Sequence, residues 1–256
     1  MLPKIKLTLH LLCIFRRAPT YLDLFRTPNM RKITFLISIL YMMIALEFDT
    51  TVRNISNLNF NIYMSFMISG GLELPADLFS ILGLDYLGRR WSSALSLFAC
   101  GASILPCAWL TSKMTEKSTT SLLTIFIKNL YICKGHWVAQ AVFAMAARFW
   151  ATYAVNTGIQ FTVEVMPTQL RGQGTALVNV MSMASTMASP YIVYSVNLQI
   201  HVIAKMRYFQ STLSEKVPFI IMGVIGIFSA IPGLFLPETA DVNFPETLED
   251  AESFGK

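Results

Sequence analysis

Charged residues are scarce in this sequence. Asp, Glu, Lys and Arg make up 14% of the 256 residues, whereas a soluble domain usually carries about 25%. Hydrophobic residues make up 54%. Because a helix needs roughly 20 apolar residues to cross a bilayer, this composition disfavours soluble classes and favours a protein of the lipid bilayer.

Cysteine and histidine are also scarce. The four cysteines contain no CxxC pair and the three histidines are scattered, so neither a metal site nor a disulfide framework is indicated. The sequence contains no Gly-rich phosphate loop and no nucleophile with a base at a usable spacing. We therefore predict no enzyme, no catalytic residue, no metal and no cofactor.

Positive charge is concentrated at the N-terminus. Seven of the twenty Lys and Arg residues lie in the first 32 positions, and the net charge is +5. The rest of the chain is too apolar for a nucleic-acid interface. Because Lys and Arg beside spans tend to stay inside, we predict a cytoplasmic linker over residues 1–32 and no nucleic-acid partner. A signal peptide is the alternative, although the sequence lacks a cleavage site.

Six apolar segments are long enough to span a membrane. They cover roughly 33–52, 62–84, 91–111, 137–165, 175–196 and 217–236. We predict an all-α transmembrane fold, with a six-helix bundle over 33–236 and a cytoplasmic tail over 237–256. Long outer loops are expected over 112–136 and 197–216. These loops are either genuine insertions or non-coding sequence translated by a faulty gene model.

A charged turn separates the second and third predicted spans. It reads DYLGRR over residues 85–90. We predict a tight cytoplasmic hairpin in which Gly88 permits a sharp turn. Its charges either form a solvated turn that only sets topology, or make charge-assisted contacts with neighbouring helix ends.

Five stretches of the chain carry a family resemblance. They read YLDLFRTPNMRK (21–32), GLELPA (71–76), DYLGRR (85–90), FTVEVMPTQLR (161–171) and FLPETADVNFPETLEDAE (235–252). In this order they resemble the organic cation, organic anion and carnitine transporter family of the major facilitator superfamily. The resemblance implies that the bundle is equivalent to the C-terminal half of such a transporter, helices seven to twelve.

The resemblance also implies a function. We expect alternating-access transport of small organic ions, with a lean toward cations, by a multi-pass protein of the plasma membrane. Substrate sites in such folds lie near the midplane between two halves. A second transporter half or a full-length transporter is therefore a possible partner. The alternative is a truncated, non-transporting membrane protein that pairs with a full-length transporter or is inactive.

The hairpin supplies one candidate site, a cytoplasmic gate. The resemblance implies that its charges interact with the ends of neighbouring helices and favour the outward-open state. The predicted gate consists of Asp85, Gly88, Arg89, Arg90, Glu164 and Arg171.

The second candidate site is a substrate cavity. It consists of Phe48, Asp49, Glu73, Arg148, Trp150, Tyr153 and Met183. A carboxylate inside a span is costly, so Glu73 either faces a cavity or forms a structural pair with Arg148. The aromatic Phe48 lies between Glu47 and Asp49, which suits an organic cation. Alternatively, these two acids mark the outer membrane boundary.

Three further positions bear on the cavity. Asp77 lies one turn from Glu73 on the same helix face and departs from the family pattern. Met183 occupies a position at which the cation branch of the family tends to place Asp and the anion branch Arg, so its neutral side chain transfers no charge preference. Trp150 and Tyr153 either line the cavity or pack as ordinary helix residues.

Overall fold

The computed structural model describes residues 25, 27–55, 62–117, 132–192 and 217–239, and the side chains of all of these except 62, 111–117, 132–137 and 217–218. Most of the predicted linker, most of the predicted tail and all of the predicted loop 197–216 lie outside the described residues.

The described residues form six α-helices and contain no strand. The helices are α1 (Pro28–Asn54), α2 (Ile62–Leu87), α3 (Arg89–Lys117), α4 (Ile132–Val165), α5 (Arg171–Thr186) and α6 (Val217–Phe235). By length and composition, α1 to α4 can cross a membrane, while α5 and α6 contain 16 and 19 residues. The predicted all-α transmembrane fold is confirmed.

Helix boundaries follow local sequence. Helix α1 begins at Pro28, which fits the first turn because its missing N–H would have no partner there. Between α2 and α3 the helical path breaks only at Gly88, whose φ is +76°. This left-handed conformation favours glycine, and it produces the expected tight turn.

Two boundaries differ from the prediction. Helix α3 continues to Lys117 and α4 already begins at Ile132, so both ends of the expected loop 112–136 are helical. No Gly or Pro lies between Cys107 and Lys134 to end either helix. By contrast, α5 stops at Thr186, before the expected end of its span. Pro190 explains this break, because its nitrogen cannot donate to the carbonyl four residues earlier.

The helices pack in a defined order. Helix α3 packs closely on α6 and α4, helix α1 packs on α4, α5 and α6, and helix α2 packs mainly on α4. The larger hydrophobic core joins α1, α3, α4, α5 and the end of α6 through Ile37, Leu97, Phe161, Val178 and Leu236. Helix α2 contributes no residue to either core cluster, so its position depends on its contacts with α4.

The backbones of α3 and α6 approach each other closely. A Cβ atom added to Gly226 would lie 2.7 Å from the Cα of Gly101, and one added to Gly101 would lie 2.7 Å from the backbone nitrogen of Ile227. The two backbones therefore touch where neither helix carries a side chain.

We expect Gly226→Ala to lower the free energy of unfolding by about 1–3 kcal/mol, because overpacking forces the helices apart. Thermal unfolding in lipid nanodiscs measures this effect. Gly71→Ala is the matched control, since a Cβ there meets nothing within 4 Å. Equal unfolding temperatures for both variants would contradict the proposed close contact.

Candidate functional site

A buried ion pair lies in the middle of the bundle. Arg148 on α4 is 4% exposed, and its Nη2 donates to Glu73 Oε1 on α2. The side chain of Glu73 is 40% exposed. The pair is therefore asymmetric, with a guanidinium enclosed by protein and a carboxylate that opens at the surface of the bundle.

Helix α1 adds an aromatic contact to this pair. The Cζ atom of Arg148 lies 3.9 Å from the ring centroid of Phe48, within the range of a cation–π interaction. Two guanidinium nitrogens, Nε and Nη1, are buried without a hydrogen-bond partner among the described residues. Phe48, Glu73 and Arg148 thus form one contact that joins α1, α2 and α4.

A second polar contact joins α2 and α4, one turn farther along α2. Asn156 Nδ2 donates to Asp77 Oδ1 over 2.6 Å, and the contact is exposed. No Lys or Arg among the described side chains pairs with Asp77. These two carboxylates of α2 therefore differ, because Glu73 has a cationic partner and Asp77 has an amide.

The two acids beside Phe48 lie in different surroundings. Asp49 pairs with Arg53 on the same helix at 2.7 Å, which leaves this carboxylate partly neutralised near the end of α1. Glu47 is 1% exposed and accepts a hydrogen bond from Cys100 Sγ at 3.7 Å. Glu47 is therefore enclosed between α1 and α3.

The remaining predicted cavity residues are dispersed. Tyr153 is 6% exposed, its hydroxyl lies 2.5 Å from Ser92 Oγ, and its ring carbon Cζ would lie 2.9 Å from a Cβ added at Gly83. Its side chain therefore packs from α4 against α2 and α3. Trp150 is partly buried and lies edge-on to Tyr153, with 5.9 Å between ring centroids. Met183 lies on α5 and is 66% exposed.

A second ion pair lies at the end of the bundle that contains Gly88. Arg89 Nε donates to both carboxylate oxygens of Glu164, at 3.0 and 2.9 Å. The two side chains are 23% and 12% exposed. Arg89 Nη1 also donates to the carbonyl of Leu84 at 3.3 Å. The pair therefore joins the first turn of α3 to the last turn of α4 and to the end of α2.

Two residues that the sequence analysis did not select complete this cluster. Glu238 Oε1 accepts the backbone N–H of Arg89 at 2.9 Å, and Thr239 Oγ1 donates to Glu164 Oε2 at 2.7 Å. A carboxylate is favourable here, because the first N–H groups of a helix lack intrahelical partners. Gly88 leaves room for it, since a Cβ there would lie 2.9 Å from Glu238 Oε1. The sequence signal that could have identified Glu238 is an acidic residue directly after the last predicted span.

The other predicted gate residues are only partly in this cluster. Asp85 is exposed at the end of α2, and Arg90 is partly buried beside Arg89. The backbone N–H of Arg90 lies 3.5 Å from Glu238 Oε1. Arg171 is partly buried at the first residue of α5. The structure thus brings Gly88, Arg89 and Glu164 together with the start of the tail, and leaves Asp85 outside.

No protein-family model matches the chain, whereas individual curated proteins do. Mouse solute carrier family 22 member 21 is 29% identical over 234 residues, which cover 91% of this chain and 35% of that protein. Organic cation transporter 1 of Caenorhabditis elegans is 28% identical over 246 residues, 94% of this chain and 35% of that protein. Rabbit organic anion transporter 3 is 28% identical over 232 residues, 91% of this chain and 36% of that protein.

The chain is a homologue of the organic cation, organic anion and carnitine transporters. The resemblance seen in the five motifs is confirmed, and the chain is an integral membrane protein. It spans about a third of the length of these transporters. Relatives named for cations and for anions match it equally well, at 28% identity.

We expect the two residues of the central pair to respond differently to removal. Glu73→Ala should lower the free energy of unfolding by about 3 kcal/mol, because it leaves a buried guanidinium unpaired. Arg148→Met should cost less, because the remaining carboxylate of Glu73 is 40% exposed. Thermal unfolding in nanodiscs ranks the two variants. If Arg148→Met lowers the unfolding temperature more than Glu73→Ala does, the buried guanidinium of Arg148 does not need Glu73 as its partner.

Proposed function

We propose that this chain forms one half of a secondary transporter for small organic ions, with a preference for cations, at the plasma membrane. The observation that carries the proposal is the presence of two carboxylates, Glu73 and Asp77, on the α2–α4 face, of which Glu73 pairs with Arg148 and Asp77 pairs with no described Lys or Arg. The homologous transporters support organic ions as the substrate class.

The preference for cations rests on the local charge. Arg148 balances Glu73 through their ion pair. Asp77 is exposed, and its partner among the described residues is the amide of Asn156, so the described part of this face carries one negative charge without a cationic partner. Complementary charge favours a positively charged ligand and disfavours an anion. Met183 adds no charge on α5.

The other half of the site would come from outside the described helices. The resemblance implies a midplane site between two halves, and α2 exposes many large apolar side chains, including Tyr63, Met67, Leu74 and Leu78. We propose that a second transporter half, in the same polypeptide or in another chain, contacts this surface. Transport would then proceed by relative movement of the two bundles, without covalent chemistry.

The cytoplasmic cluster would control one side of this movement. Arg89, Glu164, Glu238 and Thr239 connect the first turn of α3, the end of α4 and the tail. Charge-assisted hydrogen bonds are stronger than neutral ones. We propose that the cluster is intact while the cytoplasmic side is closed, and that it favours the outward-open state.

Binding measurements test the cation preference. In nanodiscs containing the full chain, we expect radiolabelled tetramethylammonium to bind and benzoate not to bind. Asp77→Asn should weaken tetramethylammonium about tenfold, because it removes a charge-assisted contact. An unchanged unfolding temperature would show that the fold is intact.

Benzoate binding in preference to the cation, or unchanged cation affinity in Asp77→Asn, would contradict the proposal. Uptake of tetramethylammonium into proteoliposomes tests transport separately. Binding without uptake would indicate the truncated, non-transporting protein.

Hydrogen–deuterium exchange tests the proposed gate. We expect Glu238→Gln to speed exchange in the first turn of α3 about fivefold, because loss of a helix cap typically costs ~1 kcal/mol. Tetramethylammonium should change exchange in this turn in the wild type, and Arg89→Ala should remove that change. Tyr86→Ala is the control, since Tyr86 lies near the turn and is 87% exposed. If the ligand has the same effect in Arg89→Ala, the cluster is not a gate.

A further inference from the structure

The carboxyl group of Glu47 lies inside the bundle, apart from both ion pairs. Glu47 belongs to α1 and is 1% exposed. Its Oε1 atom would lie 3.3 Å from a Cβ added at Gly226 on α6, and its Oε2 atom lies 3.7 Å from Cys100 Sγ on α3. Residues of three helices therefore enclose this group, and neither the central ion pair nor the cluster at Arg89 uses it.

The charged groups on the helices around Glu47 are paired with other residues. Arg148 on α4 pairs with Glu73 of α2, and Asp49 on α1 pairs with Arg53. Helix α6 contains no ionisable side chain, and α5 contains one, at its first residue. No Lys or Arg among the described side chains pairs with Glu47. Because an ionised carboxylate buried without a partner is very costly, such a group takes up a proton instead.

The contacts of Cys100 give a second, independent reason for a proton on Glu47. Its Sγ lies 3.7 Å from Glu47 Oε2 and 3.4 Å from the carbonyl oxygen of Ala147 on α4. A thiol has one proton and donates to only one of these oxygens at a time. If the thiol donates to Ala147, a protonated Glu47 can donate to Sγ, and both contacts then contain a hydrogen. An ionised Glu47 would leave one of them without a hydrogen.

Glu47 is connected to the central ion pair through the next residue of α1. The ring centroid of Phe48 lies 3.9 Å from the Cζ atom of Arg148, while Glu47 lies close to Gly226 of α6. Movement of α1 away from its neighbours would therefore open Glu47 to water and withdraw Phe48 from Arg148 at the same time. The proton on Glu47 and the surroundings of Arg148 thus depend on the same helix.

We propose that Glu47 is a proton-binding site that couples transport to protons. Glu47 is a neutral carboxylic acid while α1 lies against α6 and Glu47 contacts Cys100. When α1 moves away, a water molecule reaches the acid and accepts its proton as hydronium, and a carboxylate remains on Glu47. This inference rests on the proposed function and names its coupling ion.

Infrared spectroscopy of the full chain in nanodiscs tests whether Glu47 holds a proton. A protonated carboxyl group has a carbonyl stretching band that an ionised carboxylate lacks. Near neutral pH we expect this band in the wild type and in Asp49→Asn, because Asp49 is paired with Arg53. Glu47→Gln should remove most of the band and keep the unfolding temperature, since an amide replaces a neutral acid of the same shape.

Two results would overturn the proton site. One is a wild-type spectrum without the acid band, and the other is a band that Glu47→Gln keeps in full. Loss of the band in Asp49→Asn would place the proton on Asp49 and would contradict the proposal equally.

Proteoliposomes with a pH difference test the coupling. Valinomycin with equal potassium on both sides keeps the membrane potential at zero, and tetramethylammonium, which has no proton to lose, starts at equal concentrations. A pH difference of one unit is a tenfold ratio of proton concentrations, so movement of one proton per cation should build up a ratio of about tenfold in tetramethylammonium. The side of accumulation shows whether proton and cation move together or in exchange. Glu47→Gln should leave the two concentrations equal.

The outcomes separate the two proposals. Accumulation in Glu47→Gln as in the wild type would overturn the coupling. The same conclusion follows if radiolabelled tetramethylammonium crosses the wild-type vesicles without accumulating, and the proposed transport then stands. If tetramethylammonium enters no vesicles, the proposed transport fails, and the infrared band alone decides whether Glu47 binds a proton.

Discussion

The ion pair between Arg148 and Glu73 is the constraint on which the rest of this structure depends. A guanidinium remains charged in proteins, and a charge inside a membrane protein needs a partner. Arg148 is enclosed by α4 and its neighbours, so it fixes both the carboxylate of α2 and the ring of Phe48 on α1. Helix α2 lies outside both hydrophobic core clusters, and this pair, together with the contact between Asn156 and Asp77, therefore holds it at a defined position against α4.

The same principle operates at the end of the bundle that contains Gly88. Arg89 is paired with Glu164, and the start of the tail adds Glu238 at the helix N-terminus and Thr239 at the carboxylate. The side chains of Arg89 and Glu164 are 23% and 12% exposed, whereas those of Arg148 and Glu73 are 5% and 40% exposed. Each pair therefore has one well-enclosed partner, and loss of the other partner should be costly in both.

The sequence predicted what depends on local pattern. Apolar length indicated six helices, Gly88 indicated the turn, and the scarcity of charges inside spans left few partners for Arg148 other than Glu73. Contacts between residues that lie far apart in the sequence could not be predicted from it. The positions of Glu238 and Thr239 depend on α6 returning to the start of α3. Tyr153 packs where it does because Gly83 and Ser92, on two other helices, leave a space and a hydroxyl for it.

The most direct test of this account is the free energy of unfolding of the double variant Glu73→Ala with Arg148→Met, measured in nanodiscs beside both single variants. If Arg148 needs Glu73, removing the guanidinium as well should restore stability, and the double variant should be more stable than Glu73→Ala alone. If the two losses simply add, the pair does not hold α2 against α4, and the position of α2 has another cause.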